Sequence, residues 1–141
     1  MSGFLLDTNC ISELISPRPE PRVVDWFEAA DEGLLYLSVL TLGEIRKGVG
    51  LLAHGKRRMR LETWLAVELQ ARFSGRILAI DAVVADRWGL MAAEAKRTGK
   101  ALAIIDGLLA ATALEHNLTV VSRNIGDFSN TQVAVVNPWK A

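Results

Sequence analysis

The 141 residues are enough for one domain with a sizeable core and too few for two. Half of them are hydrophobic and 23% are charged, which excludes a disordered chain, and 16 basic side chains balance 16 acidic ones. A formal net charge of +0 excludes attraction of a polyanion by the protein as a whole, so any nucleic-acid contact must use a local patch.

Gly3-Phe4-Leu5-Leu6 reads as a first buried strand ending at Asp7. Helical spacing from Thr8 carries Ile11, Leu14 and Ile15 and stops at the Pro17, Pro19, Pro21 cluster. A second helix is marked by Val23, Trp26, Phe27 and Ala30. A second strand, Leu34 to Leu37, precedes a helix opened by Ser38 or Thr41 that runs through Glu44 towards Leu51. His54-Gly55 breaks the pattern before a basic helix with Leu61, Trp64, Leu65, Leu69 and Phe73. Ile77 to Ile80 is a third strand, and Asp81 is placed to cap a helix from Val83 to Lys96. An apolar stretch from Ala101 to Leu114 follows, then strands at Leu118 to Val121 and Val133 to Val136.

Strands apolar on both faces and separated by helices predict a single α/β domain over residues 1–141, with a parallel sheet covered on both sides. In such sheets chemistry sits beyond the carboxyl ends of the strands, which nominates Asp7, Asn124 and Asp127. Cys10 is the only cysteine, so no internal disulfide can form, which suits a reducing compartment. No apolar run approaches the roughly 18 residues of a membrane helix, and the N-terminus shows no signal-type pattern. The expectation is a cytoplasmic protein without membrane association.

Three carboxylates stand out. Asp7 suits an N-cap, and a capping carboxylate still has oxygen lone pairs free for a cation. Glu44 lies in the otherwise uncharged run Leu40-Thr41-Leu42-Gly43-Glu44-Ile45, where it is either solvated on a helix face or in need of a partner. Asp106 is the only charged residue between Lys100 and Glu115; either it caps a helix starting at Gly107, or it is buried and must protonate, pair or bind a cation. One metal site accounts for all three together, whereas capping and solvation need three separate explanations. Hard cations such as magnesium prefer oxygen ligands and keep several waters, so carboxylates from distant segments suffice. His54 and His116 read as solvent-exposed, and no zinc spacing is present. Such a site fits phosphoryl chemistry.

Arg46-Lys47 and Lys56-Arg57-Arg58 with Arg60 form either solubilising helix faces or a phosphate-tracking rim. Arg123, which follows a strand, is the better substrate candidate, and Thr8 and Asn9 beside Asp7 join Arg46 and Arg123 in that set. The aromatic residues Trp26, Trp64, Phe73 and Trp88 fall on apolar helix stripes and read as core.

Leu5-Leu6-Asp7-Thr8-Asn9-Cys10-Ile11-Ser12-Glu13 and Ser38-Val39-Leu40-Thr41-Leu42-Gly43-Glu44-Ile45-Arg46-Lys47-Gly48-Val49 resemble the corresponding motifs of PIN-domain proteins. Ile105-Asp106-Gly107-Leu108-Leu109-Ala110-Ala111-Thr112-Ala113, Val121-Ser122-Arg123-Asn124 and the ending Val136-Asn137-Pro138-Trp139 continue the set in order, and resemble the VapC/FitB type of bacterial toxin. The resemblance covers essentially the whole chain. It implies a PIN-like three-layer α/β/α fold with a parallel, about five-stranded sheet and strand one near its centre. It also implies magnesium- or manganese-dependent cleavage of RNA, with Asp7, Glu44 and Asp106 at the acidic metal-binding positions. The implied partner is a small DNA-binding antitoxin, and a homodimer is the implied assembly. FitB-like members carry a fourth acid where this chain has Asn124, so Asp127 or a water is expected to compensate.

Two other classes compete. Aspartyl-phosphate phosphatases need a second Asp where Asn9 stands, and receiver domains need a late lysine at a strand end that Ser122-Arg123 does not supply. A catalytically weak module whose acidic pocket docks a partner's arginine is the remaining alternative.

Overall fold

The computed structural model describes residues 3–140. Five parallel strands form one sheet in the order β3-β2-β1-β4-β5: β1 (Phe4–Leu6), β2 (Leu35–Ser38), β3 (Ile77–Leu78), β4 (Thr119–Val121) and β5 (Val135–Val136). The α/β class, the parallel sheet and the central β1 are as expected. Between β1 and β2 lie α1 (Thr8–Leu14), α2 (Pro21–Ala29) and a 3-10 turn at Glu32–Leu34. After β2, α3 (Val39–Gly50) leads to α4 (Lys56–Thr63), a π-helical stretch (Trp64–Leu69) and the short α5 (Gln70–Arg72). Helices α6 (Ala82–Arg97) and α7 (Ile104–Glu115) fill the crossover from β3 to β4, and a second 3-10 turn spans Ile125–Phe128.

The two-residue alternation of the central strands builds both cores. Leu6 of β1 and Val121 of β4 face a cluster with Cys10, Ile11, Val23, Phe27, Ile45, Val49, Leu65, Leu69 and Phe73. Leu5 and Val120 face the opposite side, against Leu109, Ala110, Ala113 and Phe128. Helices α1 to α5 therefore cover one face, and α7, backed by α6, covers the other. The sheet is buried on both sides, which is why its strands carry no polar alternation.

Phe73 is fully buried, while Trp26 and Trp64 are partly buried against the first core. His54 and His116 are exposed. The outer strands are shorter than their sequences suggest. β3 ends at Leu78 because its one neighbour, β2, leaves the sheet at Ser38 to become α3. Among the described residues, no helix is long and apolar enough to cross a membrane.

Candidate active site

Strand order reverses at β1, between the β2 and β4 sides, the position where open α/β sheets form a crevice at their carboxyl ends. Pairing of Leu6 with Val121 brings the next residues, Asp7 and Ser122, side by side at that edge, and Asp7 N donates to Val121 O at 2.9 Å.

Asp7 is 8% exposed and serves as the N-cap of α1, its Oδ1 accepting from Thr8 N at 2.8 Å. Its Oδ2 accepts from Ser122 Oγ at 2.8 Å and from Asn9 Nδ2 at 3.4 Å. Capping thus fixes the carboxylate without exhausting its lone pairs. Burial raises its pKa from the ordinary 3.8, against the Ser122 and Thr8 hydrogen bonds, and the charges of Glu44 and Asp127 raise it further.

Glu44 is half-buried on α3, which Ser38 opens by accepting from Leu40 N at 3.0 Å. Thr8 Oγ1 donates to Glu44 Oε1 and lies 3.3 Å from the buried Thr41 Oγ1, which couples the start of α1 to α3.

Asp106 occupies the first turn of α7, whose N-cap is Ala103, so Asp106 does not cap that helix. Its pKa is pushed up to about 6, first by burial and then by the charges of Asp127, Asp7 and Glu44. A helix N-terminus ordinarily favours a carboxylate, so burial and the neighbouring negative charge outweigh the dipole here. The turn sits close to α6 because residue 107 has no side chain: a Cβ there would meet the Trp88 ring at 3.0 Å.

Asp127 lies in the 3-10 turn after β4, exposed, yet close enough to act on both Asp7 and Asp106. The four carboxylates named in the sequence therefore share one electrostatic field, although they come from four separate elements. Asn124 is exposed at the mouth, with its backbone N donating to Ser122 Oγ at 3.0 Å.

Ser122 is the site residue that the sequence does not single out. It is 0% exposed, and its hydroxyl accepts from Asn9 Nδ2 at 3.2 Å as well as from Asn124 N while donating to Asp7. A small polar residue immediately after an apolar strand is the signal that could have found it. Among the substrate candidates, Thr8 and Asn9 are engaged within the site itself. Arg123 stacks on Trp139 at 5.7 Å, and Arg46 is exposed on α3.

Among the described residues, no three His, Cys, Asp or Glu side chains form a ready-made metal cage. The donor set nevertheless fits a hard cation. Its ligand atoms are carboxylate oxygens, and among the described residues no ion pair joins Asp7, Glu44, Asp106 or Asp127 to a basic side chain. Magnesium takes one or two protein carboxylates and retains waters, so an open arrangement is compatible with it.

A PIN-domain family model matches residues 4–133. The chain is 44% identical to Toxin FitB of Neisseria gonorrhoeae over 136 residues, covering 96% of this chain and 98% of that protein. It is 35% identical to VapC ribonuclease Y4jK of Sinorhizobium fredii over 137 residues, covering 97% and 98%. The crystal structure of FitAcB from Neisseria gonorrhoeae superposes with a TM-score of 0.93 at 43% identity, over 98% of this chain and 99% of that one. FitAB bound to the IR36 DNA fragment gives 0.92 at 42% identity, over 98% and 96%. Sheet order, the acidic crevice and these likenesses agree: the chain belongs to the PIN-domain family, among relatives named Toxin FitB and VapC ribonuclease.

Proposed function

We propose that the chain is a metal-dependent endoribonuclease, the toxin of a type II toxin–antitoxin pair, hydrolysing RNA phosphodiester bonds in the crevice above β1 and β4. The observation that carries this reading is the electrostatic convergence of four acids. Glu44 and Asp127 raise the pKa of both Asp7 and Asp106 by their charge, while Thr8 hydrogen-bonds to both Asp7 and Glu44 and Ser122 hydrogen-bonds to Asp7 at the carboxyl edge of the sheet. Asp7, Asp106 and Glu44 would hold magnesium, with manganese as a substitute. Asp127 and Asn124 would orient the coordinated waters, Asp127 supplying the charge that Asn124 lacks. When bound, the ion supplies charge neutralisation at the phosphodiester and lowers the pKa of a water.

The protein's own part is positional. Ser122 and Thr8 N hold both oxygens of Asp7, and Thr8 Oγ1 holds Glu44. The acids after β1 and on α3 are thereby kept in position before substrate arrives, which lowers the reorganisation cost of the reaction. The cognate partner would be a small DNA-binding antitoxin, in keeping with the DNA-bound FitAB complex. The resemblance further supports a homodimer, and RNA as substrate makes the cytoplasm the compartment of action.

A second reading rests on Asn124 and on the lack of a ready-made metal cage among the described residues: a catalytically weak module whose acidic pocket docks a partner's arginine. One assay separates the two. Purified protein is incubated with labelled RNA in magnesium or EDTA, beside Asp7→Asn. Cleavage that stops in EDTA and in Asp7→Asn is expected; wild type that does not cleave favours the docking module, and cleavage that ignores EDTA or survives Asp7→Asn sinks the metal-nuclease reading.

A further inference from the structure

Beside the carboxylate crevice the structure has a second, oppositely charged hollow. An open cavity of about 520 Å³ is walled by Arg22 from the start of α2, Arg123 and Asn124 after β4, and Asn137, Trp139 and Lys140 after β5. Three basic side chains meet there. Glu20 is the acid on the wall, held loosely with Oε1 3.7 Å from Arg22 Nε. In a chain of zero net charge, a local excess of positive charge is what a polyanion can use.

The hollow is built. Arg22 Nη1 donates to the Trp139 carbonyl at 3.0 Å, and the Arg123 guanidinium lies over the Trp139 ring at 5.7 Å. Asn137 Nδ2 donates to the Arg123 carbonyl at 3.2 Å, while its Oδ1 accepts from Trp139 N at 2.9 Å. These contacts lock the segment after β5 against the end of β4. The wall of the hollow is also tied to the acidic site by hydrogen bonds. Asn124, on its wall, donates its backbone N–H to Ser122 Oγ, and the same hydroxyl donates to Asp7. Two hydrogen bonds therefore link the wall of the hollow to the carboxylate that anchors the crevice.

We propose that this hollow is a phosphate subsite for single-stranded RNA, in which Arg22, Arg123 and Lys140 hold a backbone phosphate flanking the one positioned at the carboxylates. The inference rests on the ribonuclease reading and deepens it. An acidic crevice repels the polyanion that it must cleave, so affinity has to be supplied by cations beyond its rim; Arg123 directly follows Ser122, and Arg22 and Lys140 line the same hollow as Arg123. Arg46, Lys47, Lys56, Arg57, Arg58 and Arg60, the phosphate rim suggested by the sequence, line no part of this hollow. Arg123 takes part by its charge, its ring-stacked guanidinium being pre-oriented.

Binding of a short fluorescent single-stranded RNA is measured by anisotropy in EDTA, where the metal reaction cannot run, across a salt series. The proteins are wild type, the double variant Arg22→Gln/Lys140→Gln and, separately, Arg123→Gln. The substituted side chains are exposed, and a matching melting temperature confirms the fold. The double variant is expected to bind roughly tenfold more weakly at low salt. Its slope of log affinity against log salt should be shallower by about 0.7, for the one phosphate charge no longer neutralised. Unchanged affinity and slope in both variants overturn the proposal. So does equal loss of binding to poly-glutamate, which assigns the hollow to an acidic protein partner. Cleavage of the same RNA in magnesium is recorded in parallel. If the double variant shows the expected loss and slope change but wild type does not cut, the ribonuclease reading is refuted and the subsite stands. Wild type that cuts with no change in binding among the variants does the reverse.

Discussion

Ser122 Oγ donates to Asp7 Oδ2 at 2.8 Å, joining the first residue beyond β4 to the first residue beyond β1. Leu6 pairs with Val121 in the parallel ladder, so the two polar side chains emerge together where the strands end. Substituting Ser122→Ala leaves Asn9 Nδ2 and Asn124 N without this acceptor and removes a bond that favours ionised Asp7. Loss of about 1–3 kcal/mol of stability is expected, as for other buried partners left unsatisfied. Cleavage should fall by roughly tenfold or more, as when groups orienting a metal ligand are removed. Thermal melts and single-turnover cleavage check it; an unaltered melt and rate show Asp7 to be held without Ser122.

Asp106→Asn should separate stability from function. Removing the charge relieves both its burial cost and its repulsion from Asp127, Asp7 and Glu44, so the metal-free variant melts higher than wild type at neutral pH. The same change removes a proposed ligand, and cleavage should drop by about 100-fold. A metal-free variant that melts lower than wild type contradicts the electrostatic account.

That stability difference depends on pH with a definite sign. Asp106 has an ordinary value of 3.8 and a folded value of about 6, so the folded state holds the proton more tightly than the unfolded one. Ionisation therefore costs stability, and the cost is complete above about pH 6 and absent below about 3.8. The gap between Asp106→Asn and wild type should shrink as the medium is acidified from neutrality through that window. Melting curves of both metal-free proteins across it test this, and a gap that widens on acidification reverses the assignment.

Asp127→Ala tests the fourth position. Asp127 acts on Asp7 and Asp106 although it is exposed, and Asn124 supplies no charge beside it. Magnesium affinity by calorimetry should weaken by about tenfold in Asp127→Ala and strengthen in Asn124→Asp. If Asp127→Ala binds magnesium and cleaves RNA like wild type, Asp127 has no part in the site.

Gly3→Ala addresses the frame that carries the site. A Cβ at residue 3 would lie 2.6 Å from the Leu34 carbonyl oxygen, a backbone atom just before β2. Because Gly3 O also accepts from Thr119 N at 3.1 Å, the strand cannot move aside freely. A loss of about 1–3 kcal/mol in denaturant unfolding is expected, typical of overpacking. Full stability in this variant would show that β1 and β2 part more easily than the packing implies.

Much of this molecule is legible from residue order. Apolar runs with helical segments between them announce a parallel sheet, and the physical basis is local, since each strand must be apolar on both faces to be covered twice. Asp81 caps α6 as its side chain predicts, accepting from Val84 N, and of the two candidates Ser38 and Thr41 it is Ser38 that caps α3, accepting from Leu40 N. Strand ends are less legible. Ile77 to Ile80 has a strand's composition, yet only two residues pair, because pairing depends on where β2 leaves the sheet.

For the site, residue order is enough to nominate candidates. Asp7 stands at a strand terminus, and Asp106 interrupts an apolar run, where an unpaired carboxylate is too costly to be incidental. Folding is needed to show that these two share a field with Glu44 and Asp127. It is needed also to show that Ser122 ties β4 to Asp7, and that Arg22, Arg123 and Lys140 wall one hollow. The reason is physical: a burial cost can be read from a residue's own neighbourhood in the chain. Charge coupling and hydrogen bonding depend on distances set by the order β3-β2-β1-β4-β5, which no local run of residues specifies.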